Sequence, residues 1–117
     1  MVDRRSKGTA GEDAAAEYLR RNGYRILKRN YRFMRGEIDI IAQDGFTLVF
    51  VEVKARHSNE FGTPEEAVTR RKQIQVRKIA RGYLAERRIG DTDCRFDVIG
   101  IEYENGEARL RHVKDAF

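Results

Sequence analysis

The chain has 117 residues, of which 40% are hydrophobic and 37% are charged. That length predicts a single domain, 1–117, which can bury a core without disulfides or structural metals. Lysine and arginine number 24 against 19 aspartate and glutamate residues, a formal net charge of +5. The surplus favours an anionic partner such as nucleic acid, although a basic solvated surface would give the same sum.

The only cysteine is Cys94, so no disulfide can form within the chain. A single cysteine excludes a multi-cysteine zinc site and is typical of a reducing compartment. The N-terminal run MVDRRSKG is basic, but no apolar run follows it to predict a signal peptide. No apolar stretch approaches the length of a membrane span. We therefore expect a cytoplasmic protein with no membrane partner.

The first predicted element is a helix. Thr9-Ala10-Gly11-Glu12 has the pattern of a capping box that begins the helix, and Asn22-Gly23 has the pattern that ends one. The apolar side of this helix comprises Ala15, Ala16, Tyr18 and Leu19. Glu12 lies on that side of a helical wheel. It therefore either points toward the sheet or serves only as the capping-box glutamate.

Three strands are predicted to follow, over 24–31, 37–42 and 46–55. Alternating side chains indicate the second strand, and the run FTLVFVEVKA gives the third, which has the strongest strand pattern in the chain. Asp44-Gly45 between them is a typical hairpin turn. The second and third strands are therefore expected to pair antiparallel.

A second helix is predicted from Thr63-Pro64-Glu65-Glu66 to about Arg88, with Gly82 weakening its last turn. Strands over 94–103 and 108–113 follow it, joined by an asparagine-glycine turn. The long connection through this helix predicts a parallel crossover. The predicted fold class is α/β, of order α-β-β-β-α-β-β, with one mixed five-stranded sheet and helices packed on it.

Asp39, Glu52 and Lys54 interrupt these otherwise apolar strands. A two-residue turn at Asp44-Gly45 would set Asp39 diagonal to Glu52, and one at Gly45-Phe46 would set them directly opposite. Because side chains alternate along a strand, both registers place all three charged side chains on one face. The two carboxylates would lie roughly 5 to 8 Å apart at Cβ, a gap that one hard divalent cation can bridge.

The alternative is a salt bridge between Glu52 and Lys54 at an exposed strand end, which is a common arrangement. If the strand is central instead, unpaired burial of each ion costs several kcal/mol. A bound metal would stabilise the carboxylates, and Lys54 would offset part of their charge. The strand pattern alone favours neither arrangement.

Basic residues of the second helix form two sets. Lys72 lies in the apolar stripe Val68, Lys72, Val76, Ile79 and Tyr83, so it either snorkels to water or faces the carboxylates. The arginines of the other set lie on the opposite side, which is either a solvated face or a track for phosphates. Candidate nucleic-acid contacts are Arg35, Arg56, Arg70, Arg77 and Arg81.

Other charged residues receive auxiliary predictions. Glu37 shares the face of Asp39 and would assist there or pair with Arg35 or Arg56. Asp97 is predicted to be a structural hydrogen-bonding group. His57 is predicted to be a surface residue and not a catalytic base, in a loop, 57–62, that overhangs the site.

The ordered motifs resemble a known superfamily. GEIDIIA followed by VFVEVKAR resembles the PD-(D/E)xK nucleases, in which an aspartate precedes a (D/E)-x-K on the next strand; Ile38 stands where that pattern has proline. The match is closer to the YraN-like family of small bacterial proteins, predicted to be nucleases. The motifs that carry it, beyond GEID and VEVK-x-R, are Gly11-Glu12, Asn30-Tyr31, Phe61-Gly62-Thr63-Pro64 and Arg95-Phe96-Asp97.

This resemblance implies a restriction-endonuclease-like fold and a similarity to archaeal Holliday-junction resolvases. It implies Mg²⁺-dependent hydrolysis of DNA phosphodiester bonds by an endonuclease, with Mn²⁺ able to substitute and branched DNA in repair or recombination as a substrate class. Asp39, Glu52, the Val53 carbonyl and Glu12 would hold the metal. Lys54 would position water or stabilise developing charge.

Two other functions are kept open. The same fold would serve as a non-catalytic nucleic-acid-binding or adaptor module, which keeps the basic surface and treats the carboxylates as relics or as a structural metal site. A protein-interaction domain or homodimer is the third reading.

Overall fold

The computed structural model describes residues 4–57 and 62–117, and the side chains of 10–56 and 62–117. In these two ranges, two α-helices and five strands follow each other in the predicted order α-β-β-β-α-β-β, which is confirmed. Their bounds are α1 Arg4–Arg21, β1 Arg25–Phe33, β2 Gly36–Asp44, β3 Thr47–His57, α2 Arg70–Glu86, β4 Asp93–Glu104 and β5 Glu107–Val113. Within the described ranges, neither helix is long and apolar enough to cross a bilayer.

The five strands form one mixed sheet in the order β1-β2-β3-β4-β5. Neighbours are antiparallel except for β3 and β4, which are parallel because the chain returns through α2 between them. The predicted crossover and the predicted mixed sheet are therefore both confirmed. Strands β2, β3 and β4 are interior to the sheet, so charged side chains on them are more buried than on an edge strand.

Each face of the sheet buries one helix. On one face the α1 residues Ala15, Ala16 and Leu19 pack with sheet residues such as Val49 and Val51. On the other face the α2 residues Val76, Ile79, Ala80 and Tyr83 pack with Leu48 and Phe50. Glu52 and Lys54 follow Phe50 at intervals of two, so β3 directs them to the α2 face.

Strand β2 departs from regular alternation at Asp39. Ile38 and Ile40 are two residues apart, yet Ile38 packs in the α2-side core and Ile40 in the α1-side core. A regular strand would place both on one face, as the sequence predicts, so this part of the alternation is wrong. Asp39 stands at the irregularity.

The predicted start of the first helix is wrong, because α1 begins at Arg4 and runs through 9–12. Thr9-Ala10-Gly11-Glu12 therefore lies inside the helix and is not a capping box.

Gly82 lies inside α2, where an added Cβ atom would lie 2.6 Å from the Phe33 ring. That glycine permits the close approach of β1 to α2 and does not end the helix.

The second helix also begins later than predicted. Pro64 starts a separate 3-10 turn, Glu65–Ala67, and α2 begins at Arg70. Thr69 caps it, since its hydroxyl accepts a hydrogen bond from the backbone N–H of Lys72 at 3.2 Å. Pro64 instead packs on Gly100 of β4, where an added Cβ would lie 2.1 Å from the proline ring. Because this contact holds Pro64 on the sheet, the helix starts only after it.

Candidate functional site

Asp39 and Glu52 are brought together by the β2–β3 hairpin. Asp44 pairs with Thr47, so the two turn residues are Gly45 and Phe46. Of the two predicted registers this is the one that sets Asp39 opposite Glu52 when the pairing is continued. The backbone ladder ends at Ile40 and Val51. Beyond it, the Val53 N–H donates a hydrogen bond to Asp39 Oδ2 at 2.8 Å.

Burial sets the electrostatics of this carboxylate pair. Glu52 is 3% exposed. Loss of hydration, and then repulsion by Asp39, raises the pKa of Glu52 to about 8. Loss of hydration also raises the pKa of Asp39 to about 6, with repulsion from Glu12 and Glu37 adding to it. The two groups titrate as a unit, so near neutral pH the metal-free pair holds fewer than two negative charges.

One oxygen of Glu52 has no protein partner. Glu52 Oε1 is buried and accepts no hydrogen bond, while Oε2 lies 3.7 Å from Lys72 Nζ. An unsatisfied buried acceptor costs about 1–3 kcal/mol. Since Glu52 is buried and its ion pair is with Lys72, the alternative of an exposed Glu52–Lys54 salt bridge is excluded.

The two lysines occupy the α2 side of the pair. Lys72 does face the carboxylates, as one of its two predicted orientations requires. Its positive charge lowers the pKa values of both Asp39 and Glu52 against the larger effect of burial. Lys54 is half-buried and also acts on the Glu52 carboxyl group. Together the pair and its lysines form a compact cluster of opposite charges.

Glu12 reaches the sheet from α1. It is 9% exposed, and its Oε1 accepts hydrogen bonds from Asn30 Nδ2 at 2.8 Å and Arg29 Nε at 3.2 Å. It lies close enough to raise the pKa of Asp39. In the part of the chain that the structure describes, no three acidic, histidine or cysteine side chains converge tightly enough to hold a metal. Asp39 and Glu52 are thus the closely placed carboxylates, with Glu12 beside them.

Asn30 and Arg29 are site residues that the sequence reasoning missed. Asn30 has a φ of 53°, a left-handed backbone that asparagine tolerates better than most residues. The sequence indicated Asn30 only as part of the Asn30-Tyr31 motif of the family resemblance, without a physical role for its side chain. The hydrogen bond from its side chain supplies one, because it holds Glu12 in place.

Two predicted partners are corrected. Glu37 pairs with Arg32 at 3.2 Å, not with Arg35 or Arg56, because the hairpin sets Arg32 directly across from it. Arg56 is only 7% exposed; it donates a hydrogen bond to the Gly62 carbonyl and pairs with Glu102 at 3.4 Å. Burial therefore removes Arg56 from the exposed basic surface, which keeps Arg35, Arg70, Arg77 and Arg81.

Asp97 is a structural hydrogen-bonding group, as predicted. It is fully buried and accepts hydrogen bonds from the Arg95 side chain and from the Asp115 backbone N–H at 3.0 Å. His112 Nε2 lies 2.7 Å from Asp97 Oδ2. These contacts tie β5 and the C-terminal residues to β4. The His57 side chain and residues 58–61, on which the loop prediction falls, lie outside the described residues.

Fold and site together define a mixed α/β protein with a buried acidic pair on its central strands. The chain belongs to the uncharacterised protein family UPF0102, whose model matches residues 11–101, and this confirms the family indicated by the motifs. A UPF0102 protein of Symbiobacterium thermophilum is 52% identical over 114 residues, 97% of each chain. One of Syntrophus aciditrophicus is 46% identical over 117 residues, covering 100% of this chain and 92% of the relative.

Among solved structures, Pyrococcus furiosus SfsA in complex with Ca²⁺ matches with a TM-score of 0.38 and 14% identity. The match covers 97% of this chain, which spans 64% of the length of that SfsA chain.

Proposed function

We propose that this protein is a Mg²⁺-dependent nuclease that hydrolyses phosphodiester bonds of DNA on a restriction-endonuclease-like fold. The observation that carries the proposal is the buried, unpartnered Oε1 of Glu52, whose carboxyl group lies close enough to Asp39 for the two to repel each other. Two carboxylates held together in the interior lose hydration and repel each other, and a cation bound between them would offset both costs. The D…E-x-K arrangement supplies the nuclease assignment.

The residues present fit a small hard cation. Mg²⁺ takes oxygen ligands, is held by one or two carboxylates and keeps several waters. Asp39, Glu52 and the Val53 carbonyl would hold it. Glu12, fixed by Arg29 and Asn30, would add negative charge beside the ion. When bound, the ion supplies positive charge that polarises the phosphate and lowers the pKa of a water.

The two lysines have different roles in the proposed mechanism. Lys54 brings a compact positive charge on the same strand face as Glu52 and would stabilise the negative charge that develops on the phosphate. Lys72 lies 3.7 Å from Glu52 Oε2; it would orient that carboxylate and favour its ionised form against the effect of burial.

The direct test is cleavage of single-stranded, duplex and branched DNA with Mg²⁺ or Mn²⁺. We expect cleavage by the wild type and a loss of at least about a hundredfold in Asp39→Asn, Glu52→Gln and Lys54→Met, since each removes transition-state stabilisation. Glu17→Gln, an exposed carboxylate on α1, is the matched control and should cleave normally. Cleavage that survives the double variant Glu52→Ala/Lys54→Ala, or a wild type that binds DNA without cutting it, would contradict the proposal; the second result favours a binding module.

A further inference from the structure

The β1–β2 hairpin ends in a two-residue turn, Met34-Arg35, between the paired residues Phe33 and Gly36. Met34 is 75% exposed and has a φ of 57°. Glycine, asparagine and aspartate are the residues that favour this left-handed backbone in a two-residue turn. Packing within the chain therefore gives no reason for a large apolar side chain at this position.

The base of the hairpin is held closely on α2. A Cβ atom on Gly36 would lie 2.4 Å from Ile79 Cδ1 and 3.0 Å from the Gln75 side-chain nitrogen. Phe33, the other residue at the base, lies against Gly82 of α2 in the same way. Because glycines allow both approaches, the turn is fixed in position relative to the helix. Met34 is thus an exposed side chain on a firmly supported tip.

Two adjoining cavities lie between the turn and α2. The larger, of about 360 Å³, is lined by residues that include Arg32, Arg35 and Lys72. The smaller, of about 220 Å³, is lined by residues that include Phe33, Lys78 and Ile79. Met34, Arg35 and Gln75 line both. Met34 therefore stands at the boundary of a cleft with an apolar part and a strongly basic part.

The basic part of the cleft adjoins the carboxylate pair. Its three cationic residues face one carboxylate, Glu37, which is already paired with Arg32 at 3.2 Å. Lys72 lines the cavity and lies 3.7 Å from Glu52 Oε2, so the cleft and the candidate site share a wall. An anionic strand that entered the site would have this cleft beside it.

We propose that the cleft is a binding subsite for an unstacked nucleotide of a single-stranded nucleic acid, with Met34 packing against the face of its base. Arg35 and Lys78 would contact the neighbouring phosphates, and the Gln75 amide offers donors and an acceptor to the base edge. Apolar side chains, methionine among them, insert between bases and unstack them, and basic grooves follow the backbone of single strands. The inference rests on the proposed nuclease function and names its substrate class: strands with unpaired bases.

The test is a binding measurement by fluorescence anisotropy in EDTA, where the proposed cleavage cannot occur. The probes are a single-stranded oligonucleotide, an abasic strand with the same phosphates, and a duplex. Met34→Ala should weaken binding of the normal strand about tenfold and leave binding of the abasic strand unchanged, because only the base contact is lost. Met34→Leu should retain most of the affinity. Phe46→Ala is the matched control, since Phe46 is 93% exposed on the turn at the other end of β2.

Arg35→Ala separates the phosphate contact from the base contact. It should weaken binding of the normal and abasic strands alike and reduce the slope of log affinity against log salt concentration by about 0.7. Arg25→Ala, an exposed arginine at the other end of β1, should leave both unchanged.

The subsite is refuted if Met34→Ala binds the normal strand as tightly as the wild type does, or if the substitution weakens binding of the abasic strand equally. It is also refuted if the wild type binds the duplex more tightly than the single strand. A protein that binds as expected but cuts nothing with any metal contradicts only the proposed nuclease function. A protein that cleaves DNA, but whose affinity for the normal strand is the same in Met34→Ala as in the wild type, contradicts only the subsite.

Discussion

Lys72 on α2 and Glu52 on β3 form an ion pair across the face of the sheet, with 3.7 Å between Nζ and Oε2. The Glu52 side chain is 3% exposed and that of Lys72 is 30% exposed. A partly exposed lysine therefore attaches the helix to a buried carboxylate. The contact places the start of α2 against the candidate site.

We expect Lys72→Met to lower the free energy of unfolding of the metal-free protein by about 1 kcal/mol at about pH 9. The effect should shrink at about pH 5, where Glu52 is protonated and the lysine has no charge to pair with. Urea denaturation at the two pH values measures it. Lys78→Met, an exposed lysine on the same helix, is the control and should change little at either pH.

The pKa shifts predict how stability depends on pH. The raised pKa values of Asp39, to about 6, and Glu52, to about 8, mean that the folded protein holds protons that the unfolded chain has already released. This contribution is complete below the ordinary carboxyl pKa values near 4. It is lost as pH rises through about 6 and then about 8, so the free energy of unfolding should fall over that window.

Glu52→Gln isolates this contribution. The variant should lose most of the decline between about pH 5 and pH 9, which we expect to amount to a few kcal/mol in the wild type without metal. Denaturation in EDTA across that range is the measurement. A wild-type curve that rises over the window relative to the variant would show that the Glu52 pKa is not raised.

Two glycines with different surroundings give a paired prediction. A Cβ on Gly100 would lie 2.1 Å from the Pro64 ring, whereas a Cβ on Gly11, inside α1, would meet ordinary contacts of 3.6 Å or more. Gly100→Ala should destabilise the fold by about 1–3 kcal/mol through overpacking. Gly11→Ala should stabilise it by about 0.5–1 kcal/mol, because alanine is the better helix former. Melting temperatures that move in the same direction would contradict the packing described.

The strained turn residue predicts a conflict between stability and binding. Met34→Asn puts a residue that tolerates a positive φ where the structure has 57°. We expect it to raise the free energy of unfolding by about 0.5–1 kcal/mol and to weaken binding of a single-stranded oligonucleotide. Thermal melting and anisotropy on the same preparation check both. A variant that is less stable than wild type would mean that the methionine is held there by packing.

The order of elements was predictable from local patterns, and alternation along β3 correctly places Glu52 on the α2 side with Phe50, whereas the irregularity of β2 at Asp39 was not predictable from alternation. The choice between the turns was not predictable from local pattern, since Asp44-Gly45 is the stronger turn signal and Gly45-Phe46 is the one used. The orientation of Lys72 was limited to two outcomes by its apolar stripe. Only the packing of α2 on the sheet decides between them.

Two of the errors are explained by contacts that the local pattern does not include. The start of α2 depends on Pro64 meeting Gly100, a contact between segments that are distant in sequence. The partner of Glu37 depends on the β1–β2 register, which pairs it with Arg32. Helix α1 runs through a capping-box pattern because that four-residue pattern is equally compatible with a helix interior. The local sequence pattern therefore determines neither the two helix starts nor the partner of Glu37.

The measurement that bears most directly on the central claim is a calorimetric titration of the metal-free protein with Mn²⁺ at about pH 8, where Asp39 is ionised and Glu52, with a pKa of about 8, is about half ionised. We expect one site per chain in the wild type, none in Asp39→Asn or Glu52→Gln, and an unchanged site in Glu17→Gln. Each lost site should be accompanied by loss of the increase in melting temperature that the metal produces. A wild type that binds no divalent ion, or binding that survives Glu52→Gln, would contradict the account.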